Sequence, residues 1–174
     1  MKLYICEICG DAYIGRDLPA ECPFCGARHN FIKEGQHANP IINRAEAVGE
    51  ESKKMLEEAY ELETKAVAIY NCMAQKSKSY DVKAMFKRLA KIELEHAVII
   101  TRILGLEAPV IKEEECSNEM QVNFQRTIEL EDNASKLYKK FAQQSTDERV
   151  RIFFIALAQV EEGHEALIKN NYLA

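Results

Sequence analysis

Long apolar runs and a surplus of basic side chains are both missing from this sequence of 174 residues. No run approaches the roughly 18 apolar residues that a membrane-spanning helix needs, so a soluble protein without a membrane partner is expected. Acidic residues outnumber basic ones by 28 to 23, and this balance argues against nucleic-acid binding, which requires a basic surface. The first cysteine, Cys6, leaves no space before it for a signal peptide. A cytoplasmic location is therefore expected.

Cysteine is concentrated near the N-terminus, where four of the six cysteines lie within 25 residues. They form two Cys-x-x-Cys pairs separated by 12 residues, a spacing that closes four thiolates into a tetrahedron. In a reducing cytoplasm such pairs are metal ligands rather than disulfides. Zinc and iron both accept four sulfur ligands, so the motif leaves the metal open. The predicted ligands are Cys6, Cys9, Cys22 and Cys25, whereas Cys72 and Cys116 are interpreted as incidental thiols.

The composition changes along the chain and divides it into two parts. Cysteine, glycine and proline are frequent up to about residue 34, whereas Ala, Leu, Glu, Lys and Ile dominate from about Asn43 onward. The predicted domains are a knuckle at 1–34, a linker at 35–42 and a helical bundle at 43–174. Helical periodicity predicts four helices, with a long connection between the second and the third that permits one crossover. These helices are expected at about 43–76, 81–104, 117–144 and 147–170.

An internal repeat relates the two halves of the predicted bundle. A shift of 68 residues aligns 61–100 with 129–168, and 15 of these 40 positions are identical. A helical hairpin that is duplicated and packed on its copy forms a bundle with pseudo-twofold symmetry. Matched positions are therefore expected to face one another across the centre of the bundle.

Carboxylates and imidazoles recur at matched positions of the repeat, on helix faces that otherwise carry apolar residues. Glu93 and His96 continue the apolar stripe of the second helix, and Glu161 and His164 do so in the fourth. Unpaired carboxylates in an apolar interior are costly, whereas two bound cations neutralise them. One Glu from each of two helices and a Glu-x-x-His from each of the other two is the ligand pattern of carboxylate-bridged di-iron and di-manganese bundles. The predicted set is Glu63, Glu93, His96, Glu131, Glu161 and His164.

Two tyrosines, Tyr70 and Tyr138, also occupy matched positions on the inward faces of the first and third helices. Each is interpreted either as a core aromatic or as a hydrogen-bond donor to a metal-binding carboxylate. Together with the six bundle ligands, they complete the set of predicted catalytic residues.

The two parts of the chain together resemble the rubrerythrin family, in which a rubredoxin-like one-iron domain is joined to a ferritin-like di-iron bundle. The resemblance rests on Cys-x-x-Cys at 6–9, Cys-Pro-x-Cys at 22–25 followed by Phe31, Glu-x-x-Ala-x-x-x-Tyr at 63–70 and 131–138, and the two Glu-x-x-His pairs. A cysteine motif ahead of the bundle is the order found in the variants called reverse rubrerythrins. The resemblance implies a small rubredoxin-like metal knuckle with four cysteine ligands plus an all-α ferritin-like four-helix bundle. It also implies one iron, or zinc, at the cysteines and two irons, replaceable by manganese or zinc, at the carboxylates.

The function that the resemblance implies is that of a non-haem di-iron peroxidase. Hydrogen peroxide would be reduced to water with electrons that an NAD(P)H-dependent reductase supplies through the cysteine-bound iron. The alternatives are a ferroxidase or dioxygen-reducing di-iron protein, and a non-enzymatic iron or redox sensor with a structural zinc knuckle. The sequence departs from the family pattern at Ala134, where typical members carry a further glutamate that takes part in ligand exchange at iron.

A homodimer or higher homo-oligomer is expected from the position of the knuckle along the chain. A short linker leads from it into a long first helix that rises about 1.5 Å per residue, and Glu63 lies about 20 residues inside that helix. A knuckle at the start of the helix would lie about 30 Å from its own bundle metals. The knuckle of a partner subunit is therefore expected to approach the bundle site.

Overall fold

The computed structural model describes residues 1–43 and 47–173. Three strands form an antiparallel sheet in the order β2-β1-β3, and four long helices follow them. The predicted fold class, a small four-cysteine knuckle ahead of an all-α four-helix bundle, is confirmed. None of the helices in the described residues has the length and apolar character needed to cross a membrane. The elements are β1 (Lys2–Cys6), β2 (Ala12–Gly15), β3 (Ile32–Glu34), α1 (Glu50–Lys76), α2 (Tyr80–Leu104), α3 (Met120–Gln144) and α4 (Glu148–Asn171).

Two turns that end in glycine hold the cysteines of the knuckle. Gly10 and Gly26 each follow a Cys-x-x-Cys pair and adopt left-handed backbone conformations, with φ of +81° and +76°. Glycine reaches this region without the steric cost that a Cβ atom would add. The amides of both glycines donate to the carbonyls of Cys6 and Cys22 and close the two turns. A Cβ added to Gly26 would lie 3.0 Å from Val160 of α4, so this turn approaches the bundle closely because it carries no side chain.

The bundle is built from two antiparallel hairpins, α1 with α2 and α3 with α4. Gly105 ends α2 with a left-handed φ of +66°, as expected for a glycine that follows a helix. The Asp147 side chain accepts hydrogen bonds from the amides of Arg149 and Val150 and thereby fixes the start of α4. The two short loops and the long crossover therefore fall where the sequence predicted them.

The knuckle and one end of the bundle share a single apolar core. Ile8 and Ile41 from the knuckle side are buried in the same cluster as Leu56, Ile99 and Phe153 from the helices. A second apolar cluster fills the opposite end of the bundle. Since burial of apolar surface stabilises by about 25 cal/mol per Å², the shared core fixes the knuckle against its own bundle.

Two helices begin later than predicted. The first helix starts at Glu50 rather than near Asn43, since residues 47–49 are not helical. Residues 44–46, which were also predicted to be helical, lie outside the described residues. The connection between β3 and α1 therefore runs from 35 to 49, and its described residues include two short 3₁₀ turns. The third helix starts at Met120 rather than Ser117, because the side chain of Asn123 bonds back to the Ser117 backbone in a turn.

Cys72 and Cys116 form a disulfide, so their interpretation as incidental thiols is wrong. Cys72 lies on α1 and Cys116 lies near the end of the crossover that precedes α3. The crossover runs along α1, where the amide of Val110 donates to the Tyr60 hydroxyl and Lys76 donates to the Cys116 carbonyl. A separation of 44 residues carries no sequence signal for this pairing.

The disulfide is expected to stabilise the bundle chiefly by restricting the unfolded chain. Closing a loop of this length predicts that Cys116→Ser lowers the free energy of unfolding by about 4 kcal/mol. Chemical denaturation of the oxidised protein would measure the loss. Cys72→Ser and the double variant should lose the same amount as the single variant, because each removes the same bond. Single variants that remain as stable as the parent chain would contradict this.

Candidate metal centres

The four knuckle cysteines converge on one point, and all of them are buried. The Sγ atoms of Cys6 and Cys25 lie 3.7 Å apart, as do those of Cys9 and Cys22. A tetrahedral ion with metal–sulfur bonds of about 2.3 Å places its sulfurs about 3.8 Å apart. The backbone amide of Asp11 also points at the Cys9 sulfur, at 3.5 Å, as suits a thiolate acceptor. The knuckle therefore has the geometry of a closed four-sulfur metal site.

The six residues predicted as bundle ligands lie together between the two apolar cores. All six side chains are buried. Their ligand atoms form two overlapping groups, and within each group the atoms lie within 4.8 Å of one another. Glu93 and Glu161 belong to both groups, so they occupy the positions of carboxylates that bridge two ions. The groups are Glu63, Glu93, His96 and Glu161, and Glu93, Glu131, Glu161 and His164.

Each imidazole turns its Nδ1 atom toward three carboxylates, and the two halves of the site repeat this pattern. His96 and His164 both face Glu93 and Glu161, the two carboxylates that belong to both groups. Each also faces one outer carboxylate, meaning one that belongs to a single group: Glu63 for His96 and Glu131 for His164. This arrangement is the pseudo-twofold relation that the internal repeat predicted. Nδ1 of His96 lies 3.0 Å from Glu93, 3.4 Å from Glu63 and 3.6 Å from Glu161, whereas Nδ1 of His164 lies 3.1 Å from both Glu93 and Glu161 and 3.6 Å from Glu131.

The two tyrosines donate hydrogen bonds across the bundle to the outer carboxylates, Glu63 and Glu131. Tyr70 of α1 donates to Glu131 of α3, and Tyr138 of α3 donates to Glu63 of α1. Both rings are buried among aromatic neighbours, so each tyrosine is a core aromatic and a hydrogen-bond donor at once. The sequence left these two interpretations open. A hydrogen bond of this kind to one carboxylate oxygen orients the group and leaves its other oxygen available to bind a metal.

Burial controls the protonation of this site. It raises the pKa of Glu63 to about 7, and together with the neighbouring Glu93 it raises the pKa of Glu161 well above its usual range. Burial alone would lower the pKa values of His96 and His164, but the carboxylates around them raise both well above the usual range. Burial would also raise the pKa of Glu93, but His164 and His96 lower it below its usual range. Glu63, Glu161 and the two imidazoles of the metal-free protein therefore hold protons that bound cations would displace.

Several polar atoms of the site fit metal ligands better than hydrogen-bonding groups. Within 1–43 and 47–173, both oxygens of Glu93, Oε1 of Glu161 and Nδ1 of His96 are buried and make no hydrogen bond. Their nearest polar neighbours are one another and Nδ1 of His164, as expected of ligand atoms arranged around ions. A buried polar atom left without a hydrogen bond costs about 1–3 kcal/mol. Carboxylate and imidazole ligands suit iron, manganese and zinc, and two such ions would coordinate all of these atoms. The donor set therefore fits a pair of cations.

The metal-free protein is expected to lose stability as the pH rises through about 7. The folded-state pKa of Glu63, about 7, lies above its ordinary value of 4.5. The protonated carboxyl therefore stabilises the fold fully below pH 4.5, and this contribution is lost as the pH rises through the folded pKa. The loss would be on the order of 3 kcal/mol. Thermal unfolding of the metal-free protein between pH 5 and about 8.5 measures it.

Glu63→Gln is the matched control for this prediction, because the amide keeps the shape of the side chain and does not titrate. Its unfolding temperature should change less with pH than that of the parent chain. Addition of metal should reverse the trend, since metal binding releases the protons and becomes stronger as the pH rises. A parent chain whose stability is constant over this range would refute the protonation of Glu63.

The second turn of the knuckle lies directly on the bundle site. Nε2 of His96 is 2.9 Å from the carbonyl oxygen of Cys25. Because Nδ1 of this ring faces the carboxylates, Nε2 carries the proton that it donates to the carbonyl. Arg88 of α2 also donates to the carbonyl of Pro23 in the same turn, at 2.6 Å. A ligand of the cysteine site and a ligand of the bundle site are thus joined by one hydrogen bond within one chain.

The expectation that the knuckle lies about 30 Å from its own bundle site is therefore wrong. It placed the knuckle beyond the start of α1, whereas the connection 35–49 returns the knuckle to the sides of α2 and α4. A connection of this length, at about 3.3 Å per extended residue, has ample reach. Arg102 of α2 holds the first turn as well, by donating to the carbonyl of Cys9 at 3.4 Å. The homo-oligomer itself stays a prediction.

Comparison with known proteins identifies the family of this chain. The rubrerythrin family model matches residues 54–172. The chain belongs to the rubrerythrin family. Reverse rubrerythrin-1 of Clostridium acetobutylicum is 33% identical over 114 residues, which cover 60% of this chain and 63% of that protein. The matched part of this chain thus spans less than two thirds of the relative's length. The predicted family, and with it the reverse type, is confirmed.

A solved structure shares the fold of this chain. A hypothetical protein from Pyrococcus furiosus superposes with a TM-score of 0.57 and 22% identity, over 70% of this chain and 88% of that one. At this identity the likeness concerns the fold alone. Rubrerythrins are generally oxidoreductases with a di-iron site, and the two clusters of this chain fit the iron sites of the family.

The structure brings together all ten predicted metal ligands of this chain, four in the knuckle and six in the bundle. Their binding of metal stays a prediction. Sequence reasoning missed the contacts of the knuckle with His96, Arg88 and Arg102. His96 and Cys25 lie 71 residues apart and belong to different motifs, so no spacing rule relates them. The only available signal was the glycine after each cysteine pair, which permits close approach to another element.

Proposed function

We propose that this protein reduces hydrogen peroxide to water at the bundle site, with electrons that enter at a cysteine-bound iron and pass between the two sites of one chain. The observation that carries the proposal is the hydrogen bond from His96 to the Cys25 carbonyl. Peroxide reduction consumes two electrons and two protons, and a site that holds two redox-active ions next to an electron donor could supply both electrons. Membership of the rubrerythrin family supports this choice of reaction.

The bundle residues would hold the ions and fix their distance from each other. Two irons held there would supply redox chemistry, namely the two electrons that peroxide reduction consumes. Glu93 and Glu161 lie between the two halves of the site and would bind both ions. Tyr70 and Tyr138 would keep the outer carboxylates oriented. The apolar clusters toward the two ends of the bundle shield the site from water in those directions and strengthen its electrostatic interactions.

The knuckle residues suit a relay and not a substrate site. Four buried sulfurs fill the coordination of a tetrahedral ion, so no position is open for peroxide. The path from the Cys25 sulfur runs through the residue's own backbone to its carbonyl, and then through one hydrogen bond to the His96 ring. Arg88 and Arg102 hold the two cysteine turns at fixed positions on α2, which keeps this path short.

The external partners follow from the same proposal. The electrons would come from an NAD(P)H-dependent reductase, in a cytoplasmic setting, and the protein would act as a homodimer or larger homo-oligomer. A second candidate is oxidation of ferrous iron or reduction of dioxygen. Ala134 favours it, because the six-ligand set lacks the further glutamate of typical rubrerythrins.

Rapid mixing of the reduced protein with each oxidant tests the proposal. The iron-loaded, anaerobically reduced protein is expected to react with hydrogen peroxide at least tenfold faster than with dioxygen at equal concentration. The visible absorption of a ferric four-cysteine site would report the reaction. Faster oxidation by dioxygen would favour the second candidate. A colourless protein that contains zinc at the cysteines and shows no turnover would contradict both enzymatic functions and agree with a sensor.

A further inference from the structure

A cavity of about 370 Å³ opens between α1 and α3 and reaches the bundle site. We call it the α1–α3 cavity. Its floor consists of the site's own carboxylates and the two tyrosines, and its rim carries Glu58, Lys65 and Asn133. The walls between floor and rim are aliphatic and consist of Leu62, Ala66, Leu130, Ala134 and Leu137.

The cavity is far larger than hydrogen peroxide requires. A water molecule takes about 30 Å³ of liquid volume, and hydrogen peroxide, with one more oxygen atom, is only slightly larger. The α1–α3 cavity, at about 370 Å³, lies instead in the range of about 300–1,000 Å³ that is usual for sites of small organic ligands. Its size is set by two alanines at matched repeat positions, Ala66 and Ala134, which follow Glu63 and Glu131 by one helical turn.

The chemistry of the lining separates into an apolar and a polar part. A substrate that consisted only of oxygen and hydrogen would gain nothing from the aliphatic walls, because they offer no hydrogen bond. An apolar group would displace water from them, at about 25 cal/mol per Å² of surface removed from water. The polar floor would at the same time contact the peroxide oxygens at the other end of the same molecule. The lining thus matches a molecule with an apolar body and a peroxide head.

We propose that the α1–α3 cavity binds the organic group of an alkyl or aryl hydroperoxide and directs its O–O bond to the bundle site. This inference rests on the proposed function and names a substrate class for it. The reaction balances as ROOH + 2 e⁻ + 2 H⁺ → ROH + H₂O. The O–O bond breaks, the distal oxygen leaves as water and the proximal oxygen stays on the alcohol. The electrons come from the same external NAD(P)H-dependent reductase as for hydrogen peroxide.

Binding can be tested without turnover on the full-length protein loaded with zinc, which is redox-inert. The ligand is 2-phenylpropan-2-ol, the alcohol formed from cumene hydroperoxide, and the readout is the NMR shift of alanine and leucine methyl groups. Saturable shifts are expected at Leu62, Ala66 and Ala134. Ala134→Phe fills the cavity and should abolish them, whereas Ala84→Phe, on the exposed face of α2, should not.

Leu62→Gln provides a second variant that does not crowd the interior, because this side chain is 37% exposed at the mouth of the cavity. It should weaken binding of the alcohol severalfold. Absence of saturable shifts in the parent chain would overturn the proposal. So would a parent oligomer that excludes the alcohol and dissociates on Leu62→Gln, because a second copy of the chain would then cover the cavity.

Kinetics of the iron-loaded protein complete the test. Ala134→Phe is expected to lower kcat/KM for cumene hydroperoxide at least tenfold more than kcat/KM for hydrogen peroxide, and Ala84→Phe should not change this ratio. A parent chain that reduces hydrogen peroxide but not cumene hydroperoxide would overturn the substrate class and leave the proposed function intact. A chain that binds the alcohol yet reduces neither peroxide would contradict the proposed function and with it the inference.

Discussion

Glu93→Ala should leave the bundle unable to hold two metal ions while the knuckle keeps its own. Glu93 belongs to both groups of ligand atoms, so its removal takes a ligand from each ion at once. Glu161→Ala is expected to act in the same way, because Glu161 is also shared. Glu63→Ala removes a ligand from one half alone and should weaken one ion more than the other. Metal analysis of the purified variants, together with the visible spectrum of the knuckle, would measure these occupancies.

The same substitution should also lower the stability of the metal-free fold. Glu93 lies 3.0 Å from Nδ1 of His96 and 3.1 Å from Nδ1 of His164, and its removal leaves both buried imidazoles without the carboxylate that they share. Metal-free Glu93→Ala is therefore expected to be less stable than the metal-free parent. Glu61→Ala, on the exposed face of α1, is the control and should change neither property. Two bundle ions retained in both Glu93→Ala and Glu161→Ala would refute the bridging positions.

The sequence predicted the bundle and its six polar residues because two independent regularities coincide there. Helical periodicity places Glu93 and His96 on an inward face, and the repeat places an identical pair on α4. A buried carboxylate needs a neutralising partner, so the physical chemistry of burial points to cations. Local pattern and duplication together determine which side chains meet at the centre.

Contacts between distant elements could not be predicted in this way. The Cys72–Cys116 disulfide depends on the course of the crossover, which has no periodicity of its own. The tyrosine–glutamate bonds cross from α1 to α3, so the repeat indicated the residues but not their partners. The late start of α1 lengthens the connection to the knuckle and thereby decides which surface the knuckle can reach. That surface determines whether electrons have a route within one chain.

The route of the electrons can be decided by combining two inactive chains. Cys9→Ser disables the knuckle but leaves the backbone contact between Cys25 and His96, so reductase-driven turnover is expected to fall at least a hundredfold. Direct chemical reduction of the bundle site should still allow this variant to consume peroxide. Glu93→Ala disables the bundle site and keeps the knuckle. Each variant thus lacks a different half of the proposed relay.

Co-expression of the two variants with different affinity tags, followed by purification through both tags, would yield mixed oligomers. If electrons pass within one chain, the mixed oligomers remain inactive, because no chain contains both a working knuckle and a working bundle site. We expect this result, since the His96–Cys25 hydrogen bond joins the two sites of the same chain. If electrons pass between subunits, one of the two routes in each mixed dimer is intact, and the purified mixed dimers would regain about half of the parent activity. Recovery to that level would contradict the route within one chain and favour relay from the knuckle of the partner subunit.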